Sequence, residues 1–450
     1  MKKPNIILIT LDALRADHLG LYGYKKDTSP FIDSLAKKGV VFKNAFSTGA
    51  STPQSFTGIM TSTYPLDFGG YSRITGERTL ISEVLQKAGY LTMGFHSNAY
   101  LSPYFGYGRD WDVFDYLSHF KEGATGSAMR SGSWQSKIIK KLFDWETRAS
   151  ERPSIFWRFM GLFEPFITTF RKMYLNIVRP IPNYYTAFEM NEAIKNKLPK
   201  NSKKPLFLWV HYMDAHDPYG LFMRYGNKII FKIKSYLSDY LMTFFGEYPK
   251  INNLFRKLYI GMYDESIKNI DKALEELFKD LSEKGIINGE TAIFITADHG
   301  EEFGEHGGFI HMQKGFNENV RVPLIVVAPQ KFSGAPGVSE IPRSLIDIPA
   351  TMLSFAKIKK ISGFKGENIF DGNDRDIFVE LSSHDPDLSG IIVVGRVVIS
   401  EGYKLIKTKS GNFLFSLKDE SEKENIINKD KNIVSRLGNK LEKFVKTQST

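Results

Sequence analysis

Four short, almost uninterrupted apolar runs restrict the fold more than any other feature of the chain. They are NIILITL at 5–11, LFLWV at 206–210, TAIFITA at 291–297 and PLIVVAP at 323–329. Runs of this length, rich in Ile, Leu, Val and Phe and bounded by turn or helix signals, suit strands buried on both faces of a parallel sheet. Such strands have no solvent face, so their pattern does not alternate. Helix signals fall between them. Ser29-Pro30 opens one helix as N-cap and first-turn proline, with Gly39 as its C′ residue. Residues 79–88 before Gly89 read the same way, and 254–282 form a long amphipathic helix that ends before Gly285. Strands alternating with helices predict an α/β sandwich around a mostly parallel sheet.

At 450 residues the chain is long enough for a large catalytic-type domain and something smaller. It has no cysteine, which excludes disulfides, thiolate metal sites and a cysteine nucleophile. The N-terminus MKKPNIILITLDALR has lysines before an apolar run, but Asp12 stops the run and no small-residue cleavage site follows. It therefore reads as the first strand rather than a signal peptide. No uncharged apolar run approaches the ~18 residues of a membrane span. The expected location is cytoplasmic, with peripheral membrane contact as an extension of that reading.

The net charge of +10 is local. Residues 121–182 carry 11 Lys and Arg against 5 Asp and Glu, and 224–257 carry 7 against 2; the remainder is near neutral. That distribution argues against a nucleic-acid partner and for a basic face. Both stretches lie in segments that break the strand–helix rhythm, 120–200 and 220–258, read as insertions into a domain spanning 1–370. Apolar residues recur at helical spacing over 155–177, where Pro165 should kink or split the helix. Two readings stay open: a helical subdomain packed on the sheet, or an interfacial membrane face or lid over an apolar substrate. Beyond about residue 371, GIIVVGRVVIS, YKLIKT and NFLFSL read as antiparallel strands and 432–446 as a charged helix, a small α+β subdomain over 371–450.

Acidic and imidazole side chains gather where the buried strands end. Asp12 follows the first, His211, Asp214 and His216 end or follow the second, and Asp298 and His299 follow the third. Open α/β sheets bind ligands at the carboxyl ends of their strands. Carboxylate with imidazole suits a divalent cation such as Zn, Mn or Ca. The stretch GASTPQSFTG, 49–58, places Thr52 as N-cap and Pro53 at the first position of a helix running to about Thr61. A hydroxyl there faces the positive end of the helix dipole, which suits an anionic phosphate or sulfate, so cap and nucleophile are compatible roles.

PNIILITLDALRADHLGLYGY (4–24), STPQSF (51–56), HYMDAHDPY (211–219) and TADHGEEFGEHG (296–307) follow one another in an order and spacing that resembles the sulfatase family of the alkaline phosphatase superfamily. RVPLIV (321–326), SLIDIPATML (344–353) and NFLFSLKDESEKEN (412–425) extend the resemblance over most of the chain. It implies an alkaline-phosphatase-like three-layer sandwich and a metal-dependent hydrolase of sulfate or phosphate esters. It also implies site roles. Asp12, Asp298 and His299, with the loop nucleophile, would hold one metal ion; His216 and His311 would contact the anion, and Asn98 would line the pocket. His211 and Asp214 would orient His216 or hold a second ion. Arg15, Asp17, His96 and His306 would support the site from outside it.

Two departures bear on mechanism. Many sulfatases carry a second aspartate where this chain has Ala13, and an arginine two residues after the loop proline where it has Ser55. Without that arginine, conversion of Ser51 to formylglycine is not expected. Alignment on the proline favours Ser51 as nucleophile; alignment on Thr61 and Tyr64-Pro65 favours Thr52, as does the helix geometry. An unmodified threonine ester must be cleared by a second attack, which phosphorus permits more readily than sulfur. The substrate would be a small-molecule, glycan or lipid ester. Two alternatives remain: a transferase that hands a phospho-headgroup to an acceptor at a membrane surface, and a silent binding protein that keeps the fold. The oligomeric state is not legible.

Overall fold

All four apolar runs are strands of one eight-stranded sheet. The computed structural model describes residues 3–117, 184–199, 203–217, 219, 253–332, 336–372, 374–384 and 390–448. The sheet strands are β1 (Ile6–Leu11), β2 (Val40–Phe42), β3 (Leu91–His96), β4 (Val113–Tyr116), β5 (Leu206–Tyr212), β6 (Ala292–Ala297), β7 (Leu324–Val327) and β8 (Gly337–Ser339). Their spatial order is β8-β2-β7-β6-β1-β5-β3-β4. Only β7 runs against the others. Strands β1, β5 and β6 are buried along their whole length, which is why their sequences show no alternation.

Register brings the chemistry together. Leu11 lies opposite both Tyr212 and Ala297, and His96 lies opposite His211. The chain therefore leaves β1, β5, β6 and β3 at one level, and Asp12, Asp298 and Asn98 emerge at the same edge.

Helices α1 (Pro30–Ala36), α4 (Ala187–Lys197) and α5 (Asn253–Glu283) pack together; α2 (Thr52–Thr61), α3 (Ile81–Lys87) and α6 (Asp347–Phe355) form a second group. With the sheet they make the three layers. Helix α5 ends before Gly285 and α3 before Gly89, both at positive φ, as their sequences imply. Helix α1 departs from expectation. The Ser29 hydroxyl bonds Asp33 instead of capping, and the amides of Phe31 and Ile32 donate to the Asp271 carboxylate of α5 at 2.9 Å each. Nor is Gly39 a left-handed C′ residue. It is glycine because a Cβ there would lie 2.4 Å from the Val326 carbonyl oxygen of β7.

The C-terminal part forms an antiparallel sheet of β9 (Ile377–His384), β10 (Ile391–Ser400), β11 (Tyr403–Thr408) and β12 (Gly411–Ser416), with α7 (Lys431–Gln448) against one face. That face buries Val398, Leu405, Leu414, Leu437 and Phe444 with Tyr64 and Ile346 of the large domain. The opposite face packs Ile377, Val379 and Val397 on Phe46, Ala50 and Phe316. The small sheet thus abuts the loop before α2, where the Glu380 amide donates to the Thr48 carbonyl at 2.9 Å.

The apolar repeat at 155–177, Pro165 and both basic stretches up to residue 252 lie outside the described residues. What is described of the first insertion, 184–199, holds α4, which opens with a Thr186–Glu189 capping box and buries Ala187, Met190 and Ile194 in the main core. Among the described residues no helix is long and apolar enough to cross a membrane.

The loop after α2 is closed by one buried guanidinium. Arg78 is 1% exposed and donates to the carbonyl oxygens of Tyr64, Pro65, Asp67 and Gly70 and to the Thr63 hydroxyl. Removing it strands several buried acceptors, each costing roughly 1–3 kcal/mol. Arg78→Ala should therefore lower the urea-unfolding free energy by about 3 kcal/mol or more.

Candidate active site

Strand β1 ends in a strained turn. Asp12 is fully buried, and Ala13 after it adopts φ 57°, a left-handed conformation costing an alanine about 1–2 kcal/mol. The turn is held from both sides. The Ala13 amide donates to Asp298 Oδ1 at 3.2 Å, and the Tyr263 hydroxyl donates to the Ala13 carbonyl at 2.7 Å. Asp298 Oδ1 also accepts the His299 amide at 3.0 Å. Each carboxylate thereby keeps one oxygen without a hydrogen-bond partner: Asp12 Oδ1 and Asp298 Oδ2, both buried.

Imidazoles surround this pair. His211 Nε2 lies 3.2 Å from Asp12 Oδ2, and its Nδ1 lies 3.0 Å from Thr10 Oγ1. The His299 Nε2 atom is 3.6 Å from both Asp12 Oδ1 and Asp298 Oδ2, while its Nδ1 faces the Gly300 carbonyl at 2.9 Å. With Nδ1–H donated to that carbonyl, Nε2 presents a lone pair to the cluster. Burial opposes charge on Asp12, but His216, His211 and His299 outweigh it and hold its carboxyl well below the usual range. Burial, and then the Asp12 charge, push Asp298 upward.

The cluster has the chemistry of a cation site. Atoms of Asp12, His211 and Asp298 lie within 4.8 Å of one another. Two orphaned, buried carboxylate oxygens beside two imidazoles are costly unless something positive satisfies them. A divalent ion with mixed oxygen and nitrogen preference fits that donor set.

Thr52 stands over the carboxylates. Helix α2 begins one residue earlier than the cap pattern implies: Thr52 is its first residue and Ser51 the N-cap, in extended conformation with no side-chain cap bond. Thr52 is 5% exposed. Its Oγ1 donates to Asp12 Oδ2 at 3.4 Å and lies 3.4 Å from His299 Nε2, and Asn98 Nδ2 donates to it at 3.4 Å. Asn98 Nδ2 also donates to Asp12 Oδ2 at 3.0 Å. Among the described residues the Ser51 hydroxyl makes no such contact.

His216 and His311 adjoin the cluster, their rings 5.1 Å apart, with the His311 ring 4.7 Å from that of His299. Burial disfavours the charged form of His216, but Asp12 and Glu301 reverse this and raise it to about 9. His311 is raised against burial by Glu301, whose Oε1 lies 3.3 Å from its Nδ1. The neighbouring carboxylates thus shift both rings toward the protonated form, the form that suits an anion.

Other candidates sit elsewhere. Asp214 holds another element: its Oδ1 accepts the Ala187 amide at the start of α4 at 3.1 Å, and burial raises it to about 7. Arg15 pairs with Asp17 and Glu305, and His306 with Glu318 while stacked on Phe316. His96 is buried beside Trp209 and Tyr116, pushed down to about 3 by burial, and its Nδ1 faces the Asn98 carbonyl. Two contributors escape sequence reasoning. Glu301, fully buried, accepts the Tyr219 hydroxyl at 2.7 Å while facing His311. Gln54 accepts the Ala50 amide at 2.9 Å and donates to the Ser382 carbonyl at 2.5 Å, closing the loop before α2 onto β9. Their only sequence signal is position inside the quoted motifs.

The sulfatase family model matches residues 4–358. An arylsulfatase of Clostridium perfringens is 25% identical over 418 residues, covering 82% of this chain and 78% of that protein. The structure of BT4656 in complex with its substrate D-glucosamine-2-N,6-O-disulfate superposes with a TM-score of 0.67 at 17% identity, over 100% of this chain and 98% of that one. The phosphonate monoester hydrolase of Agrobacterium radiobacter superposes with a TM-score of 0.63 at 18% identity, over 99% and 96%.

A cation bound by the two orphaned oxygens stabilises the folded state by mass action, about 2.7 kcal/mol at 100 times its dissociation constant. Added Mn, Ca or Zn should raise the melting temperature of metal-stripped protein. Asp12→Asn and Asp298→Asn should remain folded and lose that rise.

Proposed function

The chain belongs to the sulfatase family and is a sulfatase-like ester hydrolase, and from this premise we propose that it cleaves a sulfate or phosphate ester through a covalent intermediate on Thr52. The observation that carries this reading is the convergence of Asp12, His299 and Asn98 on one hydroxyl at the start of a helix. Asp12 Oδ1 and Asp298 Oδ2 would hold the cation, with His211 and His299 beside them. When bound, a divalent ion there lowers the pKa of a nearby hydroxyl and offsets charge on the ester oxygens.

The residues divide the remaining work. Thr52 Oγ1 attacks sulfur or phosphorus, and His299 Nε2, 3.4 Å away, receives its proton. His216 and His311, both shifted toward the protonated form by neighbouring carboxylates, bind the anion's oxygens. The bond to the alcohol oxygen breaks, and His216 supplies the proton that oxygen takes up. Water then attacks the Thr52 ester, releases inorganic sulfate or phosphate, and returns the hydroxyl. Asn98 fixes the rotamer of Thr52 throughout by holding Oγ1 and Asp12 together.

Formylglycine at Ser51 is not part of this reading. Ser51 makes no cap bond, and its neighbour holds the place over the carboxylates. The two structural comparisons, one protein named for phosphonate monoesters and one with a sulfated sugar, support keeping both sulfuryl and phosphoryl esters in view.

Hydrolysis of matched aryl sulfate, phosphate monoester, phosphodiester and phosphonate esters is the direct test. Thr52→Ala should lower kcat by at least ~10³ on whichever ester the wild type prefers. Ser51→Ala should retain activity within a few-fold. The opposite pattern would transfer the nucleophile to Ser51 and overturn the Thr52 assignment.

A further inference from the structure

The hairpin after Asp298 carries two adjacent, fully buried glutamates with different partners. Successive side chains of an extended chain point to opposite faces. Glu301 faces the His311 ring, its Oε1 3.3 Å from Nδ1. Glu302 serves the backbone that carries that ring. Glu302–Phe303 pairs antiparallel with Phe309–Ile310, Glu302 opposite Ile310. The Glu302 carboxylate accepts the Met312 amide on Oε1 and Lys314 Nζ on Oε2, each at 3.1 Å. His311 thus stands between Ile310 and Met312, both fixed to one residue.

The residue before His311 is strained. Ile310 adopts φ 65°, a left-handed conformation that a β-branched side chain rarely enters and that persists only where its surroundings impose it. Lys314 Nζ also donates to the His306 carbonyl at 3.1 Å, which closes the far end of the hairpin on the same ion pair. Gly308 leaves room for that pair, since a Cβ there would collide with Glu302 Oε2 and Lys314 Nζ. Gln313 ties the segment to the C-terminal sheet, its Oε1 accepting the Ser382 amide at 3.3 Å. The segment is therefore anchored to β9 independently of Glu302, while its shape around Ile310 depends on the pair. That shape delivers the His311 ring to within 4.7 Å of the His299 ring and 5.1 Å of the His216 ring.

We propose that Glu302 and Lys314 are positioning residues for the reaction: their ion pair holds the turn at Ile310 in its strained form and so keeps His311 against His299 and His216. The inference rests on the ester-hydrolase reading, in which His311 contacts the anion. Stability alone gives little reason for the pair. Burying a carboxylate costs desolvation, and apolar residues of similar volume often stabilise a fold as well or better. The carboxylate does what an apolar pair cannot. Its two oxygens fix an amide and an ammonium two residues apart, by charge-assisted bonds of defined direction. A binding group has to be held this closely, because small displacements of it weaken the site.

The test is a double-mutant cycle on phosphate affinity, with inorganic phosphate titrated calorimetrically into the full chain in the presence of Mn. Glu302→Gln is nearly isosteric, and Lys314→Met breaks the pair from its other end. Urea unfolding checks that both fold, and Glu302→Gln decides alone if Lys314→Met does not. Each should weaken phosphate binding about tenfold in the wild-type background. His311→Ala should weaken it about tenfold or more. Added to His311→Ala, either pair variant should change affinity by less than about twofold, because the ring it positions is gone. Losses that multiply in full in that background mark a general effect on the fold and overturn the proposal. Unchanged affinity in Glu302→Gln or in His311→Ala also overturns it. Turnover of the preferred ester is measured on the same variants. Coupled losses of phosphate affinity, with no ester turned over by the wild type, retain the pair and sink the hydrolase reading. Thr52-dependent turnover with independent losses does the reverse.

Discussion

Two buried carboxylates facing each other across less than 5 Å set the terms for the rest of this molecule. With the candidate ligand atoms of Asp12 and Asp298 within 4.8 Å, their mutual repulsion is about 3 kcal/mol or more at an effective dielectric of ~20. Desolvation adds to it. A fold tolerates such a pair only where polar partners are delivered to it, and the neighbouring elements supply imidazoles. Strand β5 brings His211, the turn after β6 brings His299, and the chain beyond β5 brings His216. Even so, one oxygen on each carboxylate stays unpaired, which is the strongest internal argument for a cation between them.

The sheet meets this demand by register. Parallel pairing of β6, β1 and β5 makes their carboxyl ends coterminous, so side chains some 200 to 290 residues apart in sequence meet without a long loop. The strained turn at Ala13 follows from the same arrangement. The Asp12 carboxylate can face Asp298 only if the chain reverses at once, and the Tyr263 hydroxyl and Asp298 Oδ1 hold it there. The C-terminal sheet contributes from outside. It packs on Phe46 and Ala50 and, through Ser382 and Gln54, closes the loop from which Thr52 rises. That packing gives a physical reason for a second sheet to accompany a site none of whose groups it carries.

Much of this was legible in the residues. Buried strands announce themselves by composition, and Asp12, Asp298, His299 and the Thr52 loop stand out because chemistry-bearing side chains follow strands directly. Local detail was less legible. Ser29 reads as an N-cap, yet α1 is capped by Asp271 of α5, because a carboxylate from a packed helix supplies two acceptors where the serine supplies one. Gly39 reads as a C′ residue, yet it answers to the approach of β7. Asp214 reads as a partner of His216, yet it holds the start of α4. Each is a tertiary partner outcompeting a local one, which no window of neighbouring residues can reveal.

By itself the sequence determined the class of fold, the strand ends that carry acid and imidazole, and the choice of a hydroxyl rather than a thiol over them. Those properties follow from composition and from motifs confined to a few consecutive residues. Only the tertiary structure decided that Thr52 rather than Ser51 stands over the carboxylates, that His211 lies within ligand distance of them, and that Glu301 and Gln54 serve the site at all. These are distances between segments far apart in the chain, set by strand register and by the packing of two sheets, and local pattern carries no measure of them.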